Sequence, residues 1–356
     1  MNSLAALLLT VLLTSTPQRS AVGPGATAGG TTSTQLTGLV PSGFMILGDT
    51  TSSPSGYSFT GFSFSATTTE SWITKAPMPT ARYGSAAATV NGKIYVIGGK
   101  DGPFLSTVEE YSPTTNTWSA MSPMPTPRVH LAAAAVNGRI YAIGGYGPSS
   151  FARLATVEEF DPGTNSWSTK ASLPVAKGGL AAAVVNGKIY AIGGYVGTMS
   201  ATVTEYDPTT NTWTTKASMG TARGYLAAAV VNGKIYAIGG ENGMHFATVE
   251  EYDPVTNSWT TRTSMPTARS LLSAADVNGK VYAIGGYNFS FLATVEEYDP
   301  AANSWKSSVS MPTARREMGT TAADGKIYAI GGANPFSITT VECFDLLHLF
   351  YVHRKN

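Results

Sequence analysis

Gly-Gly doublets recur along this chain at Gly98-Gly99, Gly144-Gly145, Gly193-Gly194, Gly239-Gly240, Gly285-Gly286 and Gly331-Gly332, in steps of 46, 49, 46, 46 and 46 residues. The six tryptophans, Trp72, Trp118, Trp167, Trp213, Trp259 and Trp305, keep the same step, each 26 residues ahead of a doublet. A period of this length means repeated supersecondary units, none of which can bury its apolar faces alone. The one longer step places its three extra residues between Gly145 and Trp167.

One unit shows what is repeated. Leu226–Val231 is apolar and ends at Asn232-Gly233, a pair suited to the positive φ angles of a tight hairpin. Lys234–Ile238 follows and closes on Gly239-Gly240. Thr248–Tyr252 is a third β-prone stretch, Asp253 to Asn257 reads as a turn, and Ser258–Arg262 is a fourth. Four antiparallel strands in about 46 residues make one propeller blade. The 3.6-residue period of a helical solenoid is absent.

These landmarks resemble the Kelch family. Its signature combines the Gly-Gly doublet with a third-strand Tyr and a fourth-strand Trp, which here read Gly98, Gly99, Tyr111 and Trp118 in the first unit. Phe160 and Phe344 replace the Tyr in two units, and the resemblance covers residues 72–345. It implies an all-β propeller of six four-stranded blades, closed into a ring whose first strands line a central channel. In the usual closure of that family, Ser71–Lys75 completes the blade begun at Arg315. The alternative is a seventh, degenerate N-terminal blade. There Leu39–Gly48 forms a worn hairpin and Trp72 serves that blade, while Tyr351, 19 residues after Gly332, takes the Trp position of the last unit.

Composition narrows the function classes. Charged residues are 13% of the chain and hydrophobic ones 43%, which excludes a disordered chain. A net charge of +1 supplies no global field for nucleic acid or an anionic membrane. The single cysteine, Cys343, gives neither a disulfide framework nor a cysteine zinc site. Leu4–Leu13 (LAALLLTVLL) is too short to span a bilayer but suits the core of a signal peptide, with Ala26-Thr27-Ala28 as the small-residue site. The expected organisation is a signal peptide over 1–28, a Gly/Thr/Ser-rich linker or degenerate blade over 29–70, the propeller over 71–345, and an aberrant strand or tail over 346–356. A secreted or periplasmic monomer follows, or a cytoplasmic one if the apolar run is no signal.

Alternating strand direction sorts the loops onto two faces. Asn-Gly hairpins and Asp-Pro turns share one and are nearly invariant. The loops after Gly-Gly share the other with the Met-Pro-Thr-Ala-Arg links, and they differ from unit to unit. Varied loops on a repeated frame are where recognition sits. That face also carries one cation per unit: Arg82, Arg128, Lys177, Arg223, Arg269 and Arg315. By family analogy these form a ring at the channel mouth, beside Phe104, Phe151, Phe246, Phe291 and Phe336, for an anionic or aromatic-accepting partner. Third-strand glutamates such as Glu109, Glu158, Glu250, Glu296 and Glu342 offer the competing reading, in which the same cations are spent on structural pairs. Variable neighbours of the cations, among them Tyr83, His130, Gly179, Tyr225, Leu271 and Glu317, are candidates for specificity.

No catalytic motif, metal site or cofactor site is identified. His130 and His245 alone are a poor metal set, and His348 and His353 lie in the tail. Cys343 reads as a buried thiol. The copper chemistry of some Kelch oxidases needs clustered Tyr, His and Cys, and this chain has no such set. The expected function is a non-catalytic scaffold that binds a protein, peptide or carbohydrate through the variable loop face. The alternative is an exported channel-mouth enzyme of the sugar-epimerase type, using Arg315, Arg316, Glu317 and His130. Convergence of such groups in a pocket, with displaced pKa values, is the feature that favours it.

Overall fold

A computed structural model of the chain describes the backbone at residues 32–33, 49–53, 56–58 and 62–354, and side chains at 70–346. The signal-peptide segment, Leu39–Gly48 and the side chain of Tyr351 lie outside the described residues. Among the described residues no helix is long and apolar enough to cross a membrane. A three-stranded sheet of Thr32–Ser33, Asp49–Ser53 and Gly56–Ser58 belongs to a unit separate from the propeller unit, Glu70–Leu347.

Each repeat folds into one four-stranded antiparallel sheet. In the fourth blade the strands are Ala227–Val231, Lys234–Ile238, Val249–Asp253 and Ser258–Arg262, paired in sequence order. The expected hairpin forms at Asn232-Gly233, with φ of 52° and 73°. Four of the six first strands bury alternate residues, and all six second strands bury four in a row. A strand covered on both faces needs this continuous apolar run.

The ring has six blades, and its closure is visible in the sixth. That sheet runs Gly319–Ala323, Lys326–Ile330, Val341–Arg354 and then Phe62–Thr74. Trp72 therefore serves the sixth blade and not a seventh. Its indole Nε1 donates to Val309 O at 2.8 Å, and its ring packs 5.1 Å from Phe344. Nor does Tyr351 take a fourth-strand Trp position. Asp345 is followed by LLHLFY where other blades have an Asp-Pro turn, so nothing reverses the chain and the third strand runs on to Arg354.

An aromatic pair and a Trp indole bond recur at every seam, and an Asn contact at five of the six, Glu70 taking its place at Val309. Tyr190 of the third blade meets Tyr252 of the fourth at 5.8 Å, and Tyr328 of the sixth meets Tyr111 of the first at 5.9 Å. Trp259 Nε1 donates to Ala217 O at 2.9 Å, and Asn257 Oδ1 accepts from both Tyr252 and the Ala217 N–H. The doublets require glycine for two reasons. At Gly285 and Gly286 φ is 57° and 104°, and a Cβ would approach Arg315 O and Ser270 O to 2.6 and 2.8 Å. The first reason is conformational. The second is that a backbone carbonyl, from the next blade at Gly285 and from the entry of its own blade at Gly286, occupies the space of a side chain.

Candidate binding site at the axial mouth

The loops after Gly-Gly and the links between blades do share one face. The Met124 N–H donates to Ser106 O and the Arg128 N–H to Leu105 O, tying the first blade's loop to the link that follows it.

At the axis, six equivalent residues form a belt: Gly84, His130, Gly179, Tyr225, Leu271 and Glu317. All have φ between 50° and 62°. Each N–H donates to the carbonyl of the preceding member at 2.7–3.0 Å, and Gly84 N completes the circle to Glu317 O at 2.8 Å. Four of the six are not glycine, although the left-handed conformation costs roughly 1–2 kcal/mol per such residue. The closed hydrogen-bond circuit holds them there. Tyr83 was expected among these neighbours but is one residue out of register, and Gly84 holds its place. Tyr83 instead pairs its backbone with Lys100.

The six cations do not form an accessible ring. Arg82, Arg128, Arg223, Arg269 and Arg315 are fully buried, and Lys177 is 2% exposed. Arg223, Arg269 and Arg315 reach Glu250, Glu296 and Glu342 at 3.0, 3.0 and 3.1 Å, and Arg82 and Arg128 pair with Glu109 and Glu158. The competing structural reading describes these side chains, since a guanidinium with no exposed surface offers nothing to a partner. Burial outweighs the glutamates and pushes Arg223 and Arg269 down to about 10. The third blade departs from this arrangement. Thr204 stands where others have Glu, so Lys177 Nζ donates only to Thr202 Oγ1 at 3.0 Å, and burial lowers it to about 8.

The five phenylalanines are not equivalently placed, although Phe104 and Phe151 meet at 4.9 Å. Phe104 and Phe291 are equivalent and half-buried, bridging back to Lys100 and Tyr287. Phe246 is a half-buried loop anchor whose N–H donates to Gly240 O. Phe151 and Phe336 are 54% and 80% exposed. Phe289 at 88% and Met244 at 67% join them on the same face and were not singled out from the sequence. Loop composition held that signal, but loop conformation decides exposure.

His130, Arg316 and Glu317 do converge, whereas Arg315 turns away to Glu342. His130 Nε2 lies 3.7 Å from Glu317 Oε2, and Arg316 Nε lies 3.0 Å from Glu317 Oε1. The Glu317 side chain is 6% exposed and its Oε2 has no hydrogen-bond partner. Burial raises Glu317 to about 7, with Arg316 opposing. Burial, then Arg316, lowers His130 to about 4. Near neutral pH the histidine is neutral and Glu317 is about half protonated. His130 meets Tyr225 edge-on at 5.3 Å, and Tyr225 in turn shares a 3.1 Å hydroxyl contact with Tyr146. Below lies an axial cavity of about 90 Å³, walled by Leu131, Leu180, Leu226, Leu272 and Met318, with Ser85 completing that ring. A second cavity, about 330 Å³, opens between the sixth and first blades.

Elsewhere on this face, Ser270 donates to Glu241 Oε2 at 2.8 Å, and His245 Nδ1 lies 3.0 Å from the same hydroxyl. This is not a charge-relay triad. Acid and base both address the serine, which is fully buried. Cys343 is buried and faces Tyr328, where other blades pair Tyr with Glu; burial raises its thiol.

A family model for the KLHDC2/KLHL20/DRC7 Kelch-repeats domain matches residues 39–240 and 168–286, and one for the Kelch motif matches 268–312 and 314–348. No curated protein matches the chain. The solved structure of YjhT aligns with a TM-score of 0.67 at 19% identity, covering 78% of this chain and 99% of that one; at this identity the likeness speaks for the fold alone. Six in-register blades, a ring closed by an N-terminal strand and family matches over most of the chain lead to one conclusion: this protein belongs to the Kelch-repeat β-propeller family.

Proposed function

We propose that this protein is a binding scaffold that engages a protein, peptide or carbohydrate through the face bearing the post-Gly-Gly loops. One observation carries the reading. Phe151, Met244, Phe289 and Phe336 are large apolar side chains left more than half exposed on four of these loops. On the Asn-Gly face, Val255 is the one comparably exposed apolar side chain among the described residues. Apolar side chains gathered on one face of a soluble frame mark an interaction surface. The test is array screening, peptide and glycan, with the full chain and a Phe151→Ser/Phe289→Ser variant. Hits lost in that variant at unchanged melting temperature support the proposal. Hits that survive it, but fail with Val255→Ser, overturn it.

A second reading, a channel-mouth enzyme acting on a sugar-like substrate, is favoured by the axial pair. A carboxyl near 7 can give or take a proton near neutral pH, and a neutral imidazole lies 3.7 Å from it. NMR of anomer exchange in reducing sugars, with Glu317→Gln as control, tests it. Export through residues 1–28 is a further part of our proposal, supported by the Leu4–Leu13 run. N-terminal sequencing of the mature protein decides it.

A further inference from the structure

The cavity between the sixth and first blades has its own chemistry. Its walls include Tyr83 and Asp101 from the first blade, and Arg316, Glu317, Pro335 and Phe336 from the sixth. A volume of about 330 Å³ is within the range of small-molecule sites, roughly 300–1,000 Å³. Arg316 and Asp101 carry opposite charges and do not pair with one another. The Arg316 guanidinium lies over the rings of Tyr287 and Phe291 at 4.7 and 5.4 Å, with Nε toward Glu317. Asp101 accepts from the Ser337 hydroxyl through one oxygen. Glu317, between them and the axis, is the deeply buried carboxyl whose Oε2 has no partner.

A lone anion here meets Asp101, and a lone cation meets Arg316. A ligand carrying both charges satisfies both walls. We propose that this seam pocket binds a zwitterion of the α-amino-acid class, its carboxylate on Arg316, its ammonium on Asp101, and an apolar side chain against Tyr83, Pro335 and Phe336. The guanidinium fork suits a carboxylate, and its cation–π contacts with two rings hold it at the pocket before the ligand arrives. Glu317 sets the pH response. Facing it are Arg316, His130 and the hydroxyl-bearing Tyr83 and Tyr225. Protonated, Glu317 leaves Arg316 to the ligand; ionised, it competes for that charge. With Glu317 near 7, affinity falls as pH rises from 6 to 8.

Calorimetry on the full chain with L-phenylalanine as probe tests this apart from partner docking: Phe336 belongs to both surfaces, but Phe151 and Phe289, the positions of the docking variant, do not line the pocket, so that variant should bind the probe as wild type does. Expected are saturable binding at pH 6 and at least tenfold loss in Arg316→Met and in Asp101→Asn. N-acetyl-L-phenylalanine, L-phenylalanine amide and a peptide ending in phenylalanine should bind at least tenfold more weakly, while Val255→Ser should bind as wild type does. Wild-type affinity should drop about tenfold by pH 8, and Glu317→Gln should abolish that drop at unchanged melting temperature. No heat at 10 mM probe overturns the proposal. So does N-acetyl-phenylalanine or the peptide binding within threefold of the free amino acid, since either removes Asp101 from recognition.

Discussion

Replacing Arg269 with methionine should unfold the propeller more readily and should not act on partner binding directly. Arg269 has no exposed surface and Glu296 is 3% exposed. The guanidinium donates to Ala283 O at 3.0 Å and lies 3.0 Å from Glu296 Oε2, while its Nε and Nη1 have no partner. Arg269→Met leaves a carboxylate buried without its counter-ion. Breaking a buried pair in this way costs about 3–5 kcal/mol. For a unit of this size 1 kcal/mol moves the melting temperature by about 2–4 °C, so a drop on the order of 10 °C is expected. Arg269→Met/Glu296→Gln removes both charges and keeps an acceptor for the Thr267 hydroxyl, which now donates to Glu296 Oε1 at 2.8 Å. Because the native pair leaves two arginine nitrogens unsatisfied, the double variant should recover most of the loss. Thermal and urea unfolding of the four proteins of the cycle measure the coupling. A single variant that melts within 2 °C of wild type, or a double variant no better than the single, refutes the reasoning. Lost binding at unchanged stability would return Arg269 to the role of a contact.

Further outcomes follow from other seams. Lys177 sits near 8 in the fold against an ordinary 10.5, so below pH 8 the fold carries the cost of a buried ammonium. Stability should rise from pH 8 toward 10.5, by up to ~3 kcal/mol from this group; Lys177→Met should be more stable than wild type at pH 7, and parallel pH curves for the two proteins would contradict this. Trp72→Ala removes the indole bond to Val309 and the packing on Phe344, and should cost about 3 kcal/mol in urea unfolding. Gly286→Ala should destabilise the ring well beyond the ~1 kcal/mol of an unfavourable φ, because its Cβ would sit 2.8 Å from Ser270 O. Gly243→Ala, with φ +79° and nothing within 4 Å, should lose only that smaller amount, and equal melting shifts would show that close approach is not what demands glycine.

The order of strands, the hairpin turns and the partition of loops between two faces were legible from the chain alone. They depend on local chemistry: Asn232-Gly233 turns because those residues accept positive φ, and the strand after Lys234 is buried through Ile238 because its apolar run admits no exposed face. Tertiary structure decided the rest. Arg82 and its equivalents precede first strands, and only their packing within the folded blades, against third-strand glutamates in five of the six, hides them. The constant offset of two residues after each cation already selects Gly84 over Tyr83, but that these six positions close a hydrogen-bond belt at the axis is decided by the ring. Asp101 and Arg316 are 215 residues apart and share a pocket because the ring closes between the first and last blades. A repeat encodes what each unit does for itself. What two distant units do together depends on where closure brings them, and no period in the sequence carries that information.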